Sequence, residues 1–172
     1  MANLAESMPY VLQNEGGFTI DDGGPTMWGI VIPDLDQMFG GHHTEADIKK
    51  LTVEQATMIY HALYWNKMNG DEIANQNIAT CIFDTGVNRG MSVGNKYAQR
   101  VCNQLGSSLV LDGQLGPKSI AAINGYAQHA FVTHYEALEW AGYEALLSGN
   151  PGKYGIYRHG WEARARKLLT LA

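Results

Sequence analysis

The amino-acid sequence predicts a mainly α-helical protein with a small β-hairpin lobe near its N-terminus. Three observations carry that prediction. Apolar residues recur at intervals of three and four from Leu4 to Leu12, from Ala56 to Tyr64, and in several later segments. The best strand candidate is Thr26-Met27-Trp28-Gly29-Ile30-Val31, which follows a turn rich in glycine and aspartate. No repeat or low-complexity linker interrupts the 172 residues, so the chain suits one compact unit, or two small lobes sharing a core.

The first helix places Leu4, Met8, Val11 and Leu12 on one stripe, and Glu15 continues it at plus four from Val11 and plus three from Leu12. Pro9 lies either in the first turn of a helix capped by Ser7 or inside a longer, kinked helix. Gly16 and Gly17 supply the left-handed residue that commonly ends a helix. Phe18 to Pro33 reads as turn and short strand pieces forming a small hairpin lobe over that helix end. Pro33 to Phe39 predicts a short helix, followed by a loop at Gly40-Gly41-His42-His43. These adjacent histidines lack a cysteine or carboxylate at ligand spacing, and no metal is expected there.

Thr44 with Asp47 looks like an N-cap, and Thr52-Val53-Glu54-Gln55 is a capping box opening a helix through about Met68. Ala56, Ile59, Tyr60, Leu63 and Tyr64 give that helix its core face. Ile78 to Asn88 is the most uniformly apolar segment and predicts the central helix. Cys81, Asp84 and Asn88 share one of its faces, where buried polar groups need partners. They either cap a neighbouring loop or line a cleft.

Ser92 opens the next helix, with Val93, Tyr97, Val101 and Leu105 as its stripe and Gly106 as its stop. A short helix from Lys118 to Asn124 and a long one from about Gln128 to Leu147 follow. Ser148 to Gly152 breaks the long helix. Trp161 to Leu171 closes the chain, with Trp161, Ala165, Leu168 and Leu169 facing inward.

Composition bounds the function. Apolar residues make up 45% of the chain, with no run long enough to span a bilayer, so no stable membrane insertion is expected. The N-terminus lacks the pattern of a secretory signal. Two cysteines cannot build a disulfide framework; Cys81 and Cys102 lie on apolar helical faces and read as reduced, buried thiols. A net charge of -5 argues against nucleic acid as partner. The charge is uneven, with five basic residues against one acidic between Lys153 and Ala172. The plain reading is the solvated face of the last helix; contact with an anionic wall or membrane is the alternative.

The chemistry belongs between Asn14 and Ile30. A glutamate before two glycines is often only the solvated last turn of a helix. Glu15, however, stands on the core-facing stripe, where a carboxylate is costly unless paired or functional. Burial and the negative helix end both disfavour its charge, which suits a general acid. Asp21, Asp22 and Thr26 follow in a loop able to fold back over it. Two carboxyl groups in different environments are the basic kit of glycoside hydrolysis.

Glu15-Gly16-Gly17-Phe18, Asp22-Gly23-Gly24-Pro25-Thr26 and Trp28-Gly29-Ile30 resemble the signature of glycoside hydrolase family 108, the N-acetylmuramidases of phage endolysins and secretion-activator proteins. The resemblance continues in order through Ile59-Tyr60, Tyr64-Trp65, Phe83-Asp84, Val87-Asn88, Asp112-Gly113, Gly116-Pro117-Lys118 and Gly160-Trp161 with Arg164, so it covers nearly the whole chain. The loop between glutamate and aspartate is shorter than the family pattern, and Asp22 precedes Gly-Gly without the usual proline. Either Asp21 or Asp22 therefore takes the aspartate's role.

The resemblance implies a lysozyme-like fold and a monomer acting on peptidoglycan glycan strands without a cofactor. Glu15 would be the general acid; Asp22 (or Asp21) would orient or activate a water that Thr26 helps to hold, or else stabilise the cationic transition state. Asp21, Trp28, Tyr64, Trp65 and Asn88 would contact substrate. Residues 1–77 would form the catalytic region and residues 78–172 the family's predicted peptidoglycan-binding region, packed into the same unit. Synthesis in the host cytoplasm and release by a holin or secretion system are implied too. A lytic transglycosylase and a non-catalytic wall-binding or secretion-accessory protein are the alternatives.

Overall fold

The computed structural model describes residues 1–21 and 23–172, with the side chain of Asp21 left aside. The chain is mainly α-helical with one three-stranded antiparallel sheet, as the sequence predicts. Helix α1 spans Leu4–Glu15, capped at Asn3, whose side chain accepts from the Ala5 amide. The longer of the two expected helices is thus formed: Pro9 lies inside it, and Ser7 is buried with its hydroxyl on that of Thr80 at 2.7 Å. Gly16 ends α1 at φ 73°, its N–H donating to the Leu12 carbonyl.

Strands β1 (Phe18–Asp21), β2 (Gly24–Met27) and β3 (Ile30–Val31) form the sheet in chain order. The expected single strand from Thr26 to Val31 is in fact a hairpin. Met27 pairs with Ile30, and Trp28 and Gly29 both take positive φ, at 53° and 73°. That is the twist a two-residue connection needs. The two-residue period of the side chains hid the turn because an apolar Trp occupies it.

Helices α2 (Ile32–Phe39) and α3 (Glu45–Ile48) lead to α4 (Val53–Tyr60), opened by the Thr52–Gln55 capping box. A π turn (His61–Trp65) and a 3-10 turn (Asn66–Met68) complete the segment predicted as one helix. α5 (Gln76–Arg89) is buried without interruption from Ile78 to Gly86. It packs on α1, on α6 (Met91–Gln104) and on α8 (Gln128–Gly149). α7 (Pro117–Asn124), α9 (Pro151–Tyr154) and α10 (Arg158–Leu168) complete the body. The apolar core draws on residues from both sides of Ile78, from Val11 and Ile59 to Phe131 and Leu168.

Two helical faces differ from expectation. α6 starts at Met91 behind Gly90, and its buried face holds Gly94, Asn95, Ala98, Gln99, Val101 and Cys102; Val93, Tyr97 and Leu105 are only partly buried. Gly94 brings this about: a Cβ there would lie 2.9 Å from the Ile82 carbonyl and 3.1 Å from the Gly86 amide, so α6 rests on the backbone of α5. On α10, Ala165 and Leu168 are buried, but Leu169 is 43% exposed because the chain turns into a 3-10 segment there.

Candidate active site

Glu15 is the last residue of α1, and its side chain is 13% exposed. Its Oε1 accepts from Arg164 Nη2 at 2.7 Å. Its Oε2 lies against Gly29, where a Cβ would come within 2.6 Å of that oxygen. Gly29 therefore meets two demands that only glycine satisfies together, a positive φ and the close approach. The β2–β3 turn is pinned in place by Tyr60, whose hydroxyl donates to the Trp28 carbonyl. Tyr64 tilts against Tyr60 with ring centroids 5.4 Å apart. Both phenols are pushed above their ordinary range, first by burial and then by nearby carboxylates, Glu15 among them.

Arg164 ties the site to the helical core. Its Nε donates to Asp84 Oδ2 at 3.1 Å and its Nη2 to Asp84 Oδ1 at 2.9 Å, a two-pronged grip on a carboxylate that is 2% exposed. Asn14 Nδ2 adds a third bond to Asp84 Oδ1 at 2.9 Å. Burial alone would lower the guanidinium, but Asp84 and Glu15 outweigh it and hold it above its usual value. Glu15, Arg164 and Asp84 thus alternate in sign across the end of α1, the middle of α5 and the middle of α10. The expected lone carboxylate at a helix end is instead paired with a largely enclosed cation.

The other expected site residues divide. Thr26 is buried on β2, two residues before the turn that covers Glu15. Trp28 is half-buried in that turn, and Tyr64 is half-buried beside Tyr60. Asn88 is exposed near the end of α5, its Oδ1 accepting from the Tyr143 hydroxyl at 2.7 Å. Trp65 needs correction: it is fully buried, wedged under Gly70, edge-on to Phe83, with Nε1 donating to Asp71 at 2.8 Å. A ring so enclosed has no face left for a sugar. Asp21 pairs with Gly24 in the sheet register; its side chain and the whole of Asp22 lie outside the described residues.

Sequence reasoning missed the roles of Arg164, Asp84 and Gly29. Arg164 had left a signal, since it falls on the inward stripe of α10 between Trp161 and Leu168. The basic C-terminal segment is therefore only partly a solvated face. Arg166 pairs with Glu162 in the open, but Arg164 is largely enclosed and Lys167 is half-buried over the Tyr10 ring.

Residues 8–90 match the family model described as Glycosyl hydrolase 108. The match includes Glu15, the sheet, Tyr60 and Asp84, and stops short of α10. The fold is similar to the solved structure of Brucella abortus SagA, with a TM-score of 0.78 and 28% identity over 97% of this chain and 91% of that one. No curated protein matches the chain.

Proposed function

We propose that this chain, whose residues 8–90 match the Glycosyl hydrolase 108 family model, is a muramidase that cleaves the peptidoglycan glycan strand between N-acetylmuramic acid and N-acetylglucosamine, with Glu15 as general acid. The observation that carries this reading is the placement of Glu15: a largely enclosed carboxylate where the helical body meets the sheet, one oxygen on Arg164 and the other under Gly29. Glu15 protonates the leaving oxygen and is left as an anion. Arg164 already faces that anion, so the charge that develops on proton transfer meets a fixed partner with no reorganisation. Asp84 and Asn14 hold the guanidinium in position. The water is assigned to Asp22 (or Asp21) with Thr26, a buried residue on the strand that ends at the covering turn.

Mass spectrometry of products from purified peptidoglycan tests the reaction. The expected products carry reducing N-acetylmuramic ends that have gained one water. Anhydromuramic ends would make the protein a lytic transglycosylase. Intact strands after prolonged incubation with folded protein would leave only a binding or accessory role.

A further inference from the structure

Beside Arg164, on the face formed by α1, α5 and α10, lies a cavity of about 380 Å³. Gln13, Asn14, Asn88, Trp161, Arg164 and Lys167 line it. Arg164 spends its charge on Glu15 and Asp84. Lys167 does not. Its Nζ donates to Gln13 Oε1 at 2.8 Å and Asn14 Oδ1 at 2.5 Å, and it sits 4.5 Å from the centre of the Tyr10 ring. Among the described residues, no carboxylate pairs with it. Two neutral amides and a ring hold a half-buried ammonium in place, and Asp84, already paired with Arg164, favours its charge only from beyond ion-pair distance. Burial, opposed by Asp84 and assisted by Arg164, lowers it from the ordinary lysine value.

Two further features point into the same space. Asn88 is oriented by the Tyr143 hydroxyl on its Oδ1, and its Nδ2 donor has no hydrogen-bond partner among the described residues. Trp161 is fixed by three rings, stacked with Tyr143 at 4.9 Å and 18° and with Tyr157 at 5.5 Å and 21°, and tilted against Tyr154 at 5.7 Å. Asn88 and Trp161 also line an adjoining cavity of about 310 Å³. The site thus offers a cation, an amide donor and a fixed ring, one side chain away from Glu15. It matches an extended anionic ligand with a carbonyl or carboxylate to place on each donor. The N-acetylated glycan itself is neutral where the lactyl group is amidated. The stem peptide on that lactyl group carries the carboxylates.

Resting on the muramidase reading, we propose that this groove receives the acidic stem peptide of the substrate, with a stem carboxylate on Lys167 Nζ, a second acceptor on Asn88 Nδ2 and the backbone passing the part of Trp161 that its tyrosine neighbours leave open. The enzyme would then read the branch as well as the strand it cuts.

The test compares uncross-linked, peptide-bearing strands having free stem carboxylates with the same strands after chemical amidation of those carboxylates. One charge-assisted contact corresponds to about a tenfold preference in kcat/KM for the free form. In Lys167→Met the ratio of the two kcat/KM values should fall to about one, and in Asn88→Asp it should fall or invert, each in protein with a wild-type circular dichroism spectrum. A second arm titrates a soluble stem tetrapeptide into wild-type protein and follows the Trp161 indole and Asn88 amide signals by NMR. Both should shift, and the amidated peptide should leave them in place. Equal cleavage of both strands by wild type would overturn the assignment while leaving the muramidase reading intact. So would a ratio unchanged in Lys167→Met, which would reduce Lys167 to a support for Asn14. If neither strand is cut, the muramidase reading fails and the NMR arm alone decides whether the groove binds the peptide.

Discussion

Arg164 sits between two carboxylates, and the three charges cannot be altered independently. With Arg164 removed, Asp84 remains almost fully buried and Glu15 largely enclosed, with no cation between them. Breaking a buried ion pair from one side costs about 3–5 kcal/mol, because the remaining charge is left uncompensated. Arg164→Met should therefore lower unfolding free energy by roughly that amount. Adding Asp84→Leu to it should recover part of the loss, since an apolar pair replaces an orphaned charge. Urea denaturation of the two single variants and the double variant measures this coupling. Strictly additive losses would mean that the three groups do not act as a unit. The pairing was half legible in the sequence. Glu15, Asp84 and Arg164 each stand on an apolar helical stripe, which marks each as needing a partner. Periodicity places charges on faces but does not say which faces meet, so the partners came only with the fold.

Among the elements, the contact of α5 with α6 shows where pattern and packing part. Hydrophobicity favoured a stripe of Val93, Tyr97, Val101 and Leu105. The buried face is instead set by Gly94 against Gly86 and by two amides with specific tasks. Asn95 Nδ2 donates to the Lys67 and Gly113 carbonyls at 3.1 and 3.0 Å. Gln99 exchanges bonds with the same loop, receiving the Gly113 amide at 2.9 Å and donating to Asp112 at 2.7 Å. A buried amide with a loop partner looks like a surface residue in any hydropathy reading. Gly94→Ala should destabilise by about 1–3 kcal/mol, because the neighbouring atoms are backbone and cannot swing aside. Ser108→Ala, in the loop after α6, serves as comparison. A Gly94→Ala variant as stable as wild type would show that the helices can separate at no cost. The β lobe was legible in kind and misread in detail, since a tryptophan with positive φ is an improbable turn residue.

At the scale of the whole molecule, one core joins the segment before Ile78 to the segment after it, and a second buried acid sits within that core. Glu139 is 2% exposed, and burial raises it above the ordinary glutamate value although Arg89 stands 3.7 Å away. A raised folded-state value means that the native protein holds this proton more tightly than the unfolded chain does. Stability from this group is therefore full below the unfolded value and falls as pH rises through the folded one. Thermal melts should show the melting temperature declining with pH above about 4.3, the ordinary glutamate value, and this component should vanish in Glu139→Gln. Identical pH profiles for the two proteins would contradict the assignment. All melts should show a single cooperative transition, because the helices on either side of Ile78 share their apolar contacts.

The most direct measurement is wall clearing by purified Glu15→Gln protein. The substitution keeps the shape beside Gly29 and Arg164 and removes the transferable proton. With circular dichroism and melting behaviour showing a folded protein, clearing of outer-membrane-permeabilised cells should fall by roughly 10²–10⁴ relative to wild type, the contribution of a general acid. Clearing at a rate close to wild type would contradict the catalytic assignment and reduce the Glu15–Arg164–Asp84 constellation to a structural ion-pair network.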